Sequence, residues 1–188
     1  MEQKDDIYYI KKVIDGQSNY FSYLVERYRD IVFSIALKIL RNKEDAEEMA
    51  QESFIKAYKS LHSFKGGAKF STWLYRIAYN TCISEVRKRK IQFISTEDVV
   101  IKEEAQEMNL DEIPEEKRGK AIKEAMHQLP ENEYTLILLH YFKEQSIEEI
   151  SRITQLSANN VKVKLFRARK KLYTILHKIM KEEIYTLS

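Results

Sequence analysis

The sequence predicts an all-α protein made of two small helical domains joined by a flexible acidic linker. Three observations carry this expectation. Four Gly and two Pro in 188 residues leave too few turns for a many-stranded sandwich or barrel, which needs a turn signal about every 8–12 residues. Apolar residues recur at steps of three and four through most of the chain, as amphipathic helices require. Residues 95–118 lose that period, gain acid and include Pro114, so they read as a tether. Hydrophobic residues at 44% and charged residues at 32% supply a core and argue against disorder throughout.

Taken in order, the first helix covers about Asp5 to Asp15, with Ile7, Ile10, Val13 and Ile14 as its apolar face and Gly16 as its stop. Ser18 or Asn19 caps a longer helix reaching Arg41, whose stripe is Phe21, Leu24, Val25, Tyr28, Val32, Ile35, Ala36 and Ile39. Asn42 ends that helix and caps the next, where Glu44, Asp45, Glu47 and Glu48 suit the positive end of the helix dipole. The inner face of this third helix is Ala46, Met49, Ala50, Ser53, Phe54 and Ala57. Leu61–Lys69 contains the adjacent pair Gly66-Gly67 and reads as a loop. Ser71 then caps a helix from Thr72 to about Lys90, with Phe70, Leu74, Ile77, Ala78 and Thr81 as its buried stripe.

The second helical block begins near Glu115–Lys117 and runs to Gln128, where Leu129-Pro130 breaks it. Tyr134–Phe142 is apolar enough to be a central helix. Ser146-Ile147-Glu148-Glu149 is a capping box, and its helix stops near Thr154. Ser157 caps a last helix that extends to about Lys181, with Val161, Leu165, Ala168, Leu172 and Ile175 inward.

Several function classes are excluded. The one cysteine, Cys82, permits no internal disulfide and fits a reducing compartment. No apolar run approaches the roughly 20 residues that span a bilayer, and the start is too acidic and polar for a signal peptide, so the expected location is cytoplasmic. His62, His127, His140 and His177 are scattered, without metal-ligand spacing. Gly66-Gly67 alone makes no phosphate-binding loop. The expectation is a protein with no catalytic residue, no cofactor, no metal and no small-molecule substrate.

Charge points elsewhere. Residues 69–92 carry a net +5 and residues 157–181 carry eight bases and no acid, whereas residues 97–118 carry a net −6. Two cationic blocks on separate segments suit a polyanion at two surfaces, and Arg87–Lys90 alone is equally explained as a solvated helix end. Residues 146–172 read as a helix-turn-helix: a short capped helix, the connection Thr154-Gln155-Leu156, and a longer basic helix. The outer face of that second helix is Asn159, Lys162, Val163, Phe166, Arg167 and Lys170, of one charge sign. Asn and Arg have the fork geometry for adenine and guanine edges, and Val163 or Phe166 suits thymine methyls. Lys164, Arg169 and Lys171 flank it and suit phosphates. In the first block Arg76, Asn80, Ile83 and Arg87 form a ladder, beside a loop combining His62, Phe64, Lys65, Gly66, Gly67, Lys69 and Phe70. Such a loop suits an extruded base. Trp73, at the start of its helix, reads more readily as packing than as a stacking platform.

The motifs Asn42-Lys43-Glu44-Asp45-Ala46-Glu47-Glu48, Gln51-Glu52-Ser53-Phe54 and Phe70-Ser71-Thr72-Trp73-Leu74-Tyr75-Arg76-Ile77-Ala78-Tyr79-Asn80 resemble region 2 of extracytoplasmic function (ECF) sigma factors. Leu129-Pro130, Ser146–Ile150, Leu156-Ser157, Val161-Lys162 and Phe166–Leu172 resemble region 4 of the same sigma-70 family. The resemblance implies a region 2 domain over 5–94, an acidic linker over 95–116 and a region 4 domain over 117–182. It implies an RNA polymerase sigma subunit that binds core RNA polymerase and directs promoter recognition, DNA melting and transcription initiation. Asp45, Glu48, Gln51 and Glu52, with Phe54, would dock on the clamp helices of the largest polymerase subunit. Phe64, Lys65, Lys69, Phe70, Ser71, Arg76, Asn80 and Arg87 would take the minus-ten element. Asn159, Asn160, Lys162, Val163, Lys164, Phe166, Arg167 and Lys170 would take the minus-thirty-five element, with the second domain also on the flap of the other large subunit. An anti-sigma factor is a further implied partner. Ser151 stands where alanine is common in the family, and Asn159-Asn160 and Val163 also depart from its usual residues. The rival reading is a stand-alone response regulator with a similar helix-turn-helix, but a receiver would alternate strands and helices and residues 5–90 do not.

Overall fold

A computed structural model describes residues 4–90 and 115–185, all of it helices, turns and short connections with no strand among the described residues. The elements are α1 (Asp6–Ile14), a 3₁₀ turn (Ser18–Tyr20), α2 (Phe21–Leu40), α3 (Lys43–Ser60), a 3₁₀ turn (Leu61–Ser63) and α4 (Phe70–Lys90). After the undescribed segment come α5 (Glu115–Gln128), α6 (Glu131–Ile137) continuing as a π-helical turn (Leu138–Phe142), α7 (Ile147–Thr154) and α8 (Ala158–Tyr185). The expected linker lies outside the described residues apart from Glu115 and Glu116, which open α5. The described residues divide into two compact units: those within Met1–Ile94 together with Gln145–Leu156, and those within Ser95–Glu144 together with Ser157–Ser188.

The first unit is built on α2, α3 and α4. Leu24, Val32, Phe54, Ala57, Leu61, Phe70, Leu74 and Ala78 form its core, with Tyr9 and Ile10 of α1 at one side. The stripes expected on α2, α3 and α4 are the faces that pack, because each helix gathers its apolar residues on one side and leaves charged and polar ones on the other. Asn42 caps α3 as expected, its side chain accepting from the Asp45 amide at 2.9 Å.

Three expectations are corrected. Ser18 and Asn19 do not cap α2; they form a 3₁₀ turn, and α2 begins at Phe21. The end of α2 is taken by Arg41 in the left-handed region (φ 56°), which frees Asn42 to serve α3 alone. Ser71 is not a cap either, since α4 starts at Phe70 and the Trp73 amide already donates to the Lys69 carbonyl at 3.2 Å. Burial of the Phe70 ring draws the chain into helix before Ser71 is reached.

α1 is rotated from its expected setting. Tyr9 and Ile10 are buried, whereas Ile7 and Ile14 are exposed. The cause is polar: Asp6 accepts from the Arg27 guanidinium and from the Tyr28 hydroxyl of α2, and Tyr9 stacks on Tyr23 at 4.9 Å between centroids. Asp6, Tyr9, Ile10 and Val13 therefore share the inward face. Gly16, at φ +92°, ends the helix where a side chain would be strained.

In the second unit, α5 packs on α8 through Ala121, Ala125, Leu176, Ile179 and Met180, flanked by Ile122, Leu172 and Ile175. Leu136, Ile137, Leu138 and Leu139 are buried, as expected of a central segment. Its end is π-helical rather than α-helical. Lys171 of α8 pairs with Glu133 of α6 at 3.6 Å, and the Arg169 guanidinium lies 3.5 Å from the Tyr141 hydroxyl.

Candidate nucleic-acid interface

On α4 the exposed side is set by what the core takes. With Phe70, Leu74, Ala78 and Cys82 buried, Arg76 and Arg87 are left in solvent, and Asn80 and Ile83 are half-buried between them. Lys65 and Lys69 are exposed in the preceding loop, where Gly66 takes φ +72°. The aromatic residues of this region hold one another. Ring centroids are 5.7 Å apart for Phe64 and Phe70, 5.5 Å for Phe64 and Trp73, and 5.6 Å for Phe70 and Trp73. Phe70 is fully committed to the core, while Phe64 and Trp73 keep part of a face in solvent. The loop thus offers two half-open rings beside lysines, and Phe70 supports them from below.

Thr72 and Lys69 are engaged by Gln145 and α7. The Thr72 hydroxyl donates to the Gln145 side-chain oxygen at 2.8 Å and lies 3.3 Å from a Glu149 carboxylate oxygen. Lys69 pairs with that same oxygen of Glu149 at 3.5 Å. The other Glu149 oxygen accepts from the Ser146 amide at 2.8 Å, completing the expected capping box. Burial opposes the charge on Glu149, but the Ser146 amide, the Lys69 ammonium and the hydroxyls outweigh it and hold the carboxyl below its usual range. A depressed carboxyl stabilises the fold above its unfolded value and loses that contribution as pH falls through the folded one.

On α3, Glu48 and Gln51 are exposed, Asp45 and Glu52 are half-buried, and Glu52 pairs with Lys56 at 3.5 Å. Phe54 is 9% exposed and belongs to the core, so it can only position its neighbours. Two large apolar side chains, Ile55 and Tyr58, stand exposed on the same helix and continue the Glu48–Gln51 ridge at steps of four and three. Sequence reading passed over them; the signal was that neither fits the inner stripe of 46, 50, 53, 54 and 57.

On α8 all eight candidate residues, Asn159, Asn160, Lys162, Val163, Lys164, Phe166, Arg167 and Lys170, are exposed. Ser157 caps the helix by accepting from the Asn160 amide at 3.3 Å. Val161, Leu165 and Ala168 are buried, which turns the polar positions outward. Val163 at 49% and Phe166 at 61% exposure place apolar surface among cations, and Arg169 lies over the Phe166 ring at 5.9 Å. Such a surface offers phosphate contacts and apolar base contacts together.

Among the described residues no cluster of His, Cys, Asp and Glu is placed to hold a metal ion, and no helix is long and apolar enough to cross a membrane. Comparison with known proteins identifies the family. A family model for Sigma-70 region 2 matches residues 24–91, and one for Sigma-70 region 4 matches residues 119–172. The ECF RNA polymerase sigma factor SigW of Bacillus subtilis is 34% identical over 172 residues, covering 87% of this chain and 92% of that protein. The ECF RNA polymerase sigma-E factor of Haemophilus influenzae is 30% identical over 188 residues, covering 95% and 99%. Among solved structures, the sigma factor RpoE of Bartonella quintana, in complex with the anti-sigma factor NepR, has the same fold. Its TM-score is 0.62 at 24% identity, covering 84% of this chain and 96% of that one. The chain belongs to the ECF sigma factors of the sigma-70 family, the RNA polymerase subunits that direct transcription initiation.

Proposed function

We propose that this sigma factor divides its work among three helices. The exposed face of α8 reads the minus-thirty-five element, with Asn159 and Arg167 at base edges, Val163 and Phe166 at thymine methyls, and Lys162, Lys164 and Lys170 on phosphates. α4 and its loop take the minus-ten element, Arg76 and Arg87 on the backbone and Phe64 and Trp73 beside an unstacked base. The ridge Glu48–Gln51–Ile55–Tyr58 of α3 docks on the clamp helices of core polymerase, its apolar pair supplying burial and its acids orientation.

The observation that carries this reading is the α8 face itself: eight exposed candidate positions and no acid anywhere in residues 157–181. A face left to solvent gains nothing by excluding one sign of charge, whereas one pressed on phosphates loses affinity with every acid it keeps. The chain acts by binding, without a chemical step of its own, in the cytoplasm where promoter and polymerase meet. An anti-sigma factor is the corresponding partner; the structural neighbour RpoE is solved in complex with one.

Run-off transcription with core polymerase tests the assignment. Arg76→Glu, which sets an acid against a phosphate, and Arg167→Glu, which removes a base contact, are each expected to lower promoter-specific transcript about ten- to hundredfold while leaving core binding intact. Undiminished initiation by the double variant overturns it.

A further inference from the structure

Residues 157–181 hold eight cations and no acid, so a counter-ion for any of them must come from elsewhere in the chain. Lys171 has one. It pairs with Glu133 of α6 at 3.6 Å, and each of the two side chains keeps only 26% of its surface in solvent. Lys162, Lys164, Arg167, Arg169 and Lys170, by contrast, are exposed. The Glu133 oxygen nearest the ammonium is sealed from water and accepts no hydrogen bond among the described residues. A charged oxygen so placed is costly without a cation beside it. Lys171 supplies that cation and is thereby committed to α6.

We infer that Glu133 and Lys171 are positioning residues: their pairing sets the rotation of α8 about its own axis, and Lys171 is not a phosphate contact. The inference rests on the reading of α8 as the minus-thirty-five surface and deepens it. Asn159, Val163, Arg167 and Lys171 follow one another at steps of four, so the ridge offered to the bases ends at the residue that Glu133 holds. α6 packs on α8 within one compact unit. Apolar burial between two helices is non-directional and tolerates a small roll of one against the other. An ion pair with a single arrangement does not. A roll released at Lys171 is passed along the ridge to Arg167 and Asn159, whose hydrogen bonds to base edges weaken steeply off axis. Contacts to phosphates by long, exposed lysines follow the backbone more freely. Loss of the pair is therefore a loss of promoter preference more than of affinity for DNA as such.

The test uses holoenzyme and a fluorescein-labelled promoter duplex drawn from mapped transcript starts. A second duplex of equal length carries a scrambled minus-thirty-five element. Glu133→Gln removes an acid, so bulk charge alone would tighten both duplexes. Positioning gives the opposite sign: about tenfold weaker binding of the promoter, with the scrambled duplex bound no more weakly than before. Lys171→Met keeps most of the apolar stem and loses the charge. It is expected to give the same loss with an unchanged log–log salt slope, whereas Lys170→Ala flattens that slope by about 1. Combining Glu133→Gln with Lys171→Met should cost no more than either alone, because the partners of one pair act as a unit. Promoter binding that is unchanged or tighter in Glu133→Gln overturns the inference. A slope flattened by Lys171→Met overturns it too, as do losses that add in the double variant. An equal loss on both duplexes also overturns it, since a disturbed fold rather than a turned face is then the cause. Arg167→Glu in the wild-type background separates the two readings. If it leaves the promoter preference intact, the assignment of α8 to base edges fails, whatever the pair does.

Discussion

Cys82 has no exposed surface in the middle of α4, among the residues that hold that helix to α3. Burial pushes its thiol up to about 12, against a smaller opposing pull from Lys56. At pH 8 roughly one thiol in ten thousand would be ionised, and that fraction has no path to a reagent. The native protein is therefore expected to leave Ellman's reagent unreacted over minutes and to release one equivalent on addition of denaturant; prompt native labelling would show that α4 opens locally. The same residue shows how composition and position divide the inference. A lone cysteine at helical spacing from Leu74 and Ala78 is readable as packing from sequence. Asp6 is different: nothing near it in the chain announces that it will hold Arg27 and Tyr28, 21 and 22 residues away. That carboxylate raises the Tyr28 hydroxyl, after burial, and it sets the rotation of α1 that the spacing of Ile7 and Ile14 misjudged.

Elements whose ends are decided by adjacent residues were readable; those whose ends answer to distant packing were not. Asn42 and the Ser146–Glu149 box act within one turn, and α3 and α7 begin where those residues place them, whereas α6 begins at Glu131, three residues before the expected apolar run. The start of α4 depends on the burial of Phe70, and the engagement of Thr72 depends on Gln145, 73 residues later. On the proposed binding faces, the outward setting of the α8 positions was legible because charge and period agree there. Ile55 and Tyr58 escaped because the ridge they share with Glu48 and Gln51 mixes polar with apolar residues, so only their misfit to the inner stripe marks them. The turn after α7 gives this a test. Ser151, at a position where alanine is common in the family, donates its hydroxyl to the Leu156 carbonyl at 2.6 Å, while Gln155 takes the left-handed region and its amide donates to the Ser151 carbonyl. Serine at this position contributes a hydrogen bond that alanine cannot make. Ser151→Ala is expected to cost about 1 kcal/mol. The measurement is hydrogen exchange at amides 155–157, which should quicken about fivefold; unchanged exchange would mean that the turn is held by its backbone alone.

At the scale of the molecule, a net charge of +3 conceals +5 over residues 69–92, +8 over 157–181 and −6 between them. Two cationic surfaces on separate segments have a thermodynamic consequence. If each surface alone binds DNA through a modest number of phosphates, as proposed, its affinity falls steeply with salt, by a log–log slope of about 0.9 per phosphate neutralised. When core polymerase holds both at a set spacing, the second contact becomes intramolecular, and affinity can rise about 10²–10⁴-fold without any new contact. The free chain is therefore expected to bind promoter duplex weakly and with little sequence preference at physiological salt, and the holoenzyme tightly and specifically. Titrations of both forms across a salt series measure this directly. Lys162→Ala and Lys170→Ala should each flatten the holoenzyme slope by about 1, because each removes one phosphate partner from α8. Nanomolar, sequence-specific binding by the free chain would contradict the division of labour, since the two surfaces would then need no polymerase to act as one. A slope indifferent to both lysines would contradict it from the other side, by removing α8 from the DNA.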